Sequence, residues 1–243
     1  MNGQDKKLGS AEINVESKFL KWLDNYWYHY KWTTIIVGFF VVVLLVCTLQ
    51  MCTNEKEDIN LIYAGPVLMT SGELDNLADV MNIVMPRDFD NSGEKSANIL
   101  NYHVFSEDEI KKLESQTDSD GKKSFIDRSY NTSNYDNFYN YIQTGDASVC
   151  MVAPWLYDSL KSSNRLMKLT DVLGELPEAA IDDYGVMLSE LEIYDSFSSV
   201  RVLPGDTVVC ILRPLVIGKS SKEKVYAQEK EMFSAILEFG DEK

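Results

Sequence analysis

The hydrophobic pattern of this chain breaks into one long apolar run followed by many short ones. Thr33 to Cys52 (TTIIVGFFVVVLLVCTLQMC) holds 20 residues without a charge, with only Gln50 strongly polar. As a helix such a run rises about 30 Å, the thickness of a bilayer core. A helix satisfies its own backbone hydrogen bonds, which lipid cannot do, so the pattern predicts a membrane helix over 33–52.

Beyond the run, the periodicity alternates between strand-like and helix-like. Ile59 to Ala64 (INLIYA) reads as a buried strand ended by the Gly65-Pro66 turn. Thr70-Ser71-Gly72-Glu73 has the spacing of a capping box, and Leu74, Leu77, Ala78 and Met81 follow at helical intervals until Pro86. Ala97 to Phe105 is the second strand, and Ser106-Glu107-Asp108-Glu109 is a second capping box before a short helix. Ser115 to Ser133, dominated by Ser, Thr, Asn, Asp, Gly and Lys, is expected to be a mobile loop. Helical spacing returns with Tyr135, Phe138, Tyr139 and Ile142, and Gly145 stands where a left-handed helix end belongs.

A strand around Cys150 follows, then a helix begun by Pro154 and carrying Leu156 and Leu160. Leu166 to Leu173 reads as a connector with a short helix, Tyr184 to Leu191 as an extended segment, and Asp206 to Pro214 as a strongly apolar strand. Ser220-Ser221-Lys222-Glu223 caps a last helix with Val225, Met232, Phe233, Ile236 and Leu237 on one face, stopped by Gly240. The alternation predicts an α/β fold: one N-terminal transmembrane helix, then a mainly parallel sheet with helices on both faces.

The flanks of the apolar run orient it. Trp22, Tyr26, Trp27, Tyr28, Tyr30 and Trp32 crowd its approach together with Lys18, Lys21 and Lys31, whereas Asn54-Glu55-Lys56-Glu57-Asp58 on the far side is mostly acidic. Aromatic rings favour the headgroup level and retained lysines mark the cytoplasmic end. No small-x-small cleavage site follows the run, and Val46 and Met51 stand before Cys47 and Cys52 where lipid attachment calls for a small residue. The expected organisation is a cytoplasmic segment over 1–32, an uncleaved signal anchor over 33–52 and an extracytoplasmic domain over 53–243.

Charge divides at the same place. Of 23 basic and 38 acidic side chains, 18 and 34 lie beyond residue 52, a net −16 on the exported part. So acidic a surface repels nucleic acid. Only Cys150 and Cys210 lie in the domain, both in short apolar runs, which suits buried free thiols; a single disulfide between them stays open.

The stretch from Tyr139 to Cys150 (YNYIQTGDASVC), with Trp155-Leu156-Tyr157-Asp158-Ser159-Leu160 and Leu166-Met167-Lys168-Leu169-Thr170-Asp171-Val172-Leu173, resembles bacterial extracellular solute-binding proteins of the type II periplasmic fold. Asp183 to Leu188 resembles the crossing to their second lobe, and Thr207 to Leu212 the strand after it. The resemblance implies a single-lobe relative, because only 29 residues follow Pro214. Half a cleft cannot enclose a solute, so no ligand-binding residue is carried over.

Candidate chemistry is sparse. Asp88-Phe89-Asp90-Asn91-Ser92-Gly93 opens like a calcium loop, yet Ile99 stands where the bidentate Glu belongs, so an Asx-rich turn is expected. Asp118-Ser119-Asp120-Gly121 is weaker still. His103 is the sole imidazole outside the membrane approach, and no nucleophile elbow or zinc motif exists. The expectation is a non-enzymatic, membrane-anchored interaction module with no cofactor, metal or catalytic residue, whose partner is an envelope or transporter protein. The alternative is a receptor or transport component for a small molecule or Ca²⁺.

Overall fold

The computed structural model describes residues 18–53, 57–116, 126–145, 147–214 and 220–240. Two compact units divide at Glu55/Lys56. The first carries α1 (Lys18–Thr53), a single helix of 36 residues. It starts well before the uncharged run, because the aromatic approach stays helical. Trp22, Tyr26 and Tyr30 repeat every four residues and stack on one face, with ring centroids 5.7 and 5.3 Å apart. From Asn25 to Leu49 the helix is long and apolar enough to cross a membrane, and none of that stretch is buried within the protein.

The second unit is a five-stranded sheet in the order β2-β1-β3-β5-β4. β1 (Ile59–Gly65) lies between β2 (Ala97–His103) and β3 (Val149–Val152), and both pairings are parallel. β5 (Val208–Ile211) pairs antiparallel with β3 and with β4 (Gly185–Met187). The sheet is therefore mixed, where the sequence pattern pointed to a mainly parallel one. A parallel neighbour needs a crossover helix on a sheet face. Between β4 and β5 the chain instead makes a 3-10 turn at Leu188–Glu190, the short helix α7 (Glu192–Ser196) and another 3-10 turn at Val200–Val202, and so returns to the end it left.

The other helices are α2 (Ser71–Val84), α3 (Glu107–Ser115), α4 (Arg128–Thr144), α5 (Pro154–Ser162), α6 (Thr170–Leu173) and α8 (Ser220–Leu237). Both predicted capping boxes form, on Thr70/Glu73 and Ser106/Glu109. Gly145 ends α4 at φ 69°. α4, however, starts at Arg128 with Asp127 as its cap, so residues 128–133 are helical rather than loop. The Asp127 side chain accepts from the Ser129 and Tyr130 amides, and Arg128 spans Glu107 and Glu114 of α3. Those local bonds outweigh the polar composition that suggested a loop. Residues 117–125, with Asp118-Ser119-Asp120-Gly121, lie outside the described residues.

Side-chain alternation splits the sheet into two cores. Leu61, Tyr63, Val149, Met151, Val209 and Ile211 face α2, α8 and α7, whereas Ile62, Ala64, Cys150, Val152, Val208 and Cys210 face α4 and α5. Helices thus cover both faces, as expected.

Candidate interaction surface

β2 is an edge strand, bonded among the described strands to β1 alone. Its even-numbered groups turn inward: Ser96 C=O accepts from Asp58 N–H at 2.8 Å, and Val104 N–H donates to Gly65 C=O at 2.9 Å. Its odd-numbered groups turn outward, and the two outermost are already taken. Ala97 N–H donates to Asn82 Oδ1 at 2.6 Å, Phe105 N–H donates to Asn131 Oδ1 at 2.8 Å, and Asn131 Nδ2 donates back to Phe105 C=O at 3.1 Å. An Asn side-chain amide here does what the peptide group of a sixth strand would do. Between these plugs, backbone alternation turns the N–H and C=O of Ile99, Asn101 and His103 outward, and no partner meets them among the described residues.

No Lys, Pro or carboxylate interrupts the strand ANILNYH itself. Edges usually carry such features to prevent pairing. Beside its first half runs a groove of about 420 Å³ whose lining includes Leu74, Ala78 and Ile99 below and Glu57 and Asp75 at the rim. Neither Glu57 nor Asp75 is bonded to a described residue. Asn101 adds a buried side-chain oxygen with no hydrogen-bond partner among the described residues.

At the far end of the edge, His103 Nε2–H donates to Pro66 C=O at 3.1 Å, which fixes its tautomer, and the ring sits edge-on to Phe105 at 4.7 Å. Burial lowers its pKa below the usual value, against a smaller upward pull from the Pro66 bond. This sole described imidazole of the domain is committed to holding a turn.

The calcium-like loop gathers an acid that its sequence motif does not contain. Asp58, at the mouth of β1, joins Asp88 and Asp90, with carboxylate oxygens all within 4.8 Å of one another. The oxygens accept instead from backbone amides: Asp58 from Phe89, Asp90 and Ser96, Asp88 from Asp90, Asn91 and Gly93, and Asp90 from Ser92. The Gly93 amide leads the causes that hold Asp88 below the ordinary carboxylate pKa. Asn91 and Gly93 take positive φ, 63° and 103°, as a tight Asx-rich turn requires. Ile99, in the place of a bidentate ligand, is buried in the core.

Cys150 and Cys210 stand opposite each other in register on β3 and β5, both buried and both free. Burial pushes both thiols up and so favours their neutral form. Two further polar features escaped the sequence pattern. Buried Glu229 of α8 accepts from Ser148 N–H at 2.8 Å, tying that helix to the start of β3. Tyr157 OH donates to Asp182, which also receives Lys161 Nζ at 2.5 Å and Tyr184 N–H at 2.8 Å. Burial alone would raise the Asp182 pKa, but these bonds to its anion hold it below the ordinary value.

A shallow hollow of about 350 Å³ lies between α2 and the second 3-10 turn, lined by Glu73, Asn76, Ser198, Ser199, Arg201 and Val202. Its lining holds one cation, Arg201, and one carboxylate, Glu73. Comparison with protein-family models, with curated proteins and with solved structures finds no match to this chain.

Proposed function

We propose that this chain is a membrane-anchored, non-catalytic interaction module. α1 sits in the bilayer, and a single solute-binding-like lobe stands outside it to meet an envelope or transporter protein. The observation that carries this reading is α1 itself: from Asn25 to Leu49 it is long and apolar, and none of that stretch is buried among the described residues. An apolar surface of that extent is stable only against lipid or other protein. The second unit builds two cores of its own.

Orientation follows from the flanks. Trp22, Trp27, Tyr28 and Trp32 are exposed around the helix approach, at headgroup depth if the run from Thr33 is centred in the membrane. Lys18, Lys21 and Lys31 then favour the cytoplasm for the N-terminal end. Reporter fusions test this: a tag at Asn2 is expected inside the cell and a tag after Asp58 outside. Recovery of both tags in the cytoplasm removes the extracytoplasmic reading, and cross-linking of the full-length protein in its membrane should trap a discrete protein partner.

A receptor for Ca²⁺ draws on the Asp58, Asp88 and Asp90 carboxylates. Against it stand the six backbone amides those oxygens already accept. Thermal unfolding with and without Ca²⁺, and with sugars, amino acids and short peptides, separates the two readings. A ligand saturating at one hundred times its Kd would stabilise the domain by about 2.7 kcal/mol, a measurable rise in melting temperature.

A further inference from the structure

We propose that β2 receives an extended, basic segment of the partner protein as a sixth strand of the sheet. The inference deepens the interaction-module reading and rests on it for the existence of a protein partner.

Two independent features meet at this edge. The first is the open ladder: the outward N–H and C=O groups of Ile99, Asn101 and His103 lie between positions closed by Asn82 and Asn131. An unpaired row of that kind is a template for strand addition, in which main-chain bonds supply affinity and alternate side chains supply selectivity. Because the Asn131 amide pairs both polar groups of Phe105, the added strand ends there. Its register is thereby limited to the stretch facing Ile99 to His103.

The second is the groove along the first half of the strand. Its apolar floor of Leu74, Ala78 and Ile99 and its unbonded rim carboxylates, Glu57 and Asp75, fit one kind of side chain: a long aliphatic stem ending in a cation. Lys and Arg lay their methylenes on apolar surface while the charged head stays at the rim. A net charge of −16 beyond residue 52 attracts such a segment and repels a second copy of the domain. Pairing of two β2 edges about a two-fold axis is disfavoured on the same ground.

The test uses the full-length protein in detergent micelles and two labelled seven-residue peptides with blocked ends, one alternating Lys with Val and one alternating Glu with Val. The Lys peptide is expected to give saturable fluorescence polarisation that weakens with salt, and the Glu peptide none. Hydrogen exchange is expected to slow at Ile99, Asn101 and His103 when the Lys peptide is bound. Asn101→Pro deletes one outward N–H while leaving the inward ladder to β1 whole, and should weaken binding more than about tenfold. Asp75→Lys and Glu57→Lys, on exposed rim positions, should do the same without touching the backbone, so a misfolded proline variant does not decide the matter. Binding unchanged in all three variants, or no binding of the Lys peptide, overturns the proposal. A wild-type dimer that Asn101→Pro converts to monomer also overturns it and assigns the edge to a second copy. A cross-linked membrane partner that persists in Asn101→Pro and Asp75→Lys leaves the module reading standing while removing this edge as its site.

Discussion

β1 and β2 have the same length and pair residue for residue from Ile59↔Ala97 to Gly65↔His103, yet they live in different surroundings. In β1 every residue but Asn60 is buried, whereas in β2 only Ala97 and Ile99 are. The two strands differ less in local composition than in the number of neighbours the sheet gives them. A strand with partners on both sides has no backbone group left to offer. One with a single partner keeps half its hydrogen-bonding capacity for something else. The centre of this sheet is therefore where most of the buried contact lies, and its edge is where hydrogen-bonding capacity is left over for the proposed partner strand.

The sharpest way to break that contrast is to cut matched side chains on the same face. Ile62 and Leu100 are register partners, both packed toward α4 and α5, but Ile62 is fully buried and Leu100 only partly. Ile62→Ala should cost roughly 2–5 kcal/mol in denaturant unfolding, and Leu100→Ala less than half of that. Equal losses would mean that the edge is packed as tightly as the centre.

The next pair down is Gly65 and His103, at the shared end of both strands. A Cβ on Gly65 would lie 2.7 Å from the Tyr63 hydroxyl, which is fixed by the Val67 amide at 3.2 Å. Gly65→Ala should cost about 1–3 kcal/mol through that overlap, and His103→Gln under about 1 kcal/mol. The buried Tyr63 hydroxyl, its pKa pushed up to about 12 by burial, should also resist ionisation in an alkaline titration until the domain unfolds.

Smaller again is the effect of opening a plug. Asn131→Ala strips both partners from Phe105 and should cost about 1 kcal/mol, the size of a partly exposed hydrogen-bond loss, while lengthening the free edge by one residue. The same variant should bind the Lys peptide at least as well as wild type, which a purely structural role for Asn131 does not predict.

The smallest expected effect is pH dependence at His103. Its folded-state pKa lies below the ordinary value near 6.5, so the fold favours the neutral ring. That contribution is complete above about pH 6.5 and is lost as pH falls through the lower folded value. Between pH 7 and 5 the wild type should lose slightly more stability than His103→Gln, by less than about 1 kcal/mol because the ring is half exposed. A steeper loss in the variant would contradict the burial of a neutral ring.

Much of the candidate site was legible in part only. The strand at Ala97 to Phe105 was visible as a short segment between a turn and a capping box, and the caps at Thr70 and Ser106 as fixed spacings, because both depend on residues within a few positions of each other. The identity of β2 as the edge was not visible. Nor was the approach of Asn82 and Asn131 to its ends, or of Glu57 and Asp75 to one groove. Asp58 joined the Asp88 turn from 30 residues away, and Glu229 reached Ser148 across 81 positions, so no local motif could have announced either.

By itself the sequence determined what short-range physics controls. It placed the uncharged run that becomes a membrane-length helix, the apolar segments that become strands, the capping boxes, and the left-handed glycine at residue 145. Only the tertiary structure decided strand order and direction. The run Val208–Ile211 is equally apolar whether it enters parallel or antiparallel, and what turned it was the compact return through α7 and two 3-10 turns instead of a crossover helix. Strand order in turn decided which backbone groups are consumed inside the sheet and which are left at its border. That allocation depends on long-range pairing energies, which a local window of sequence does not contain.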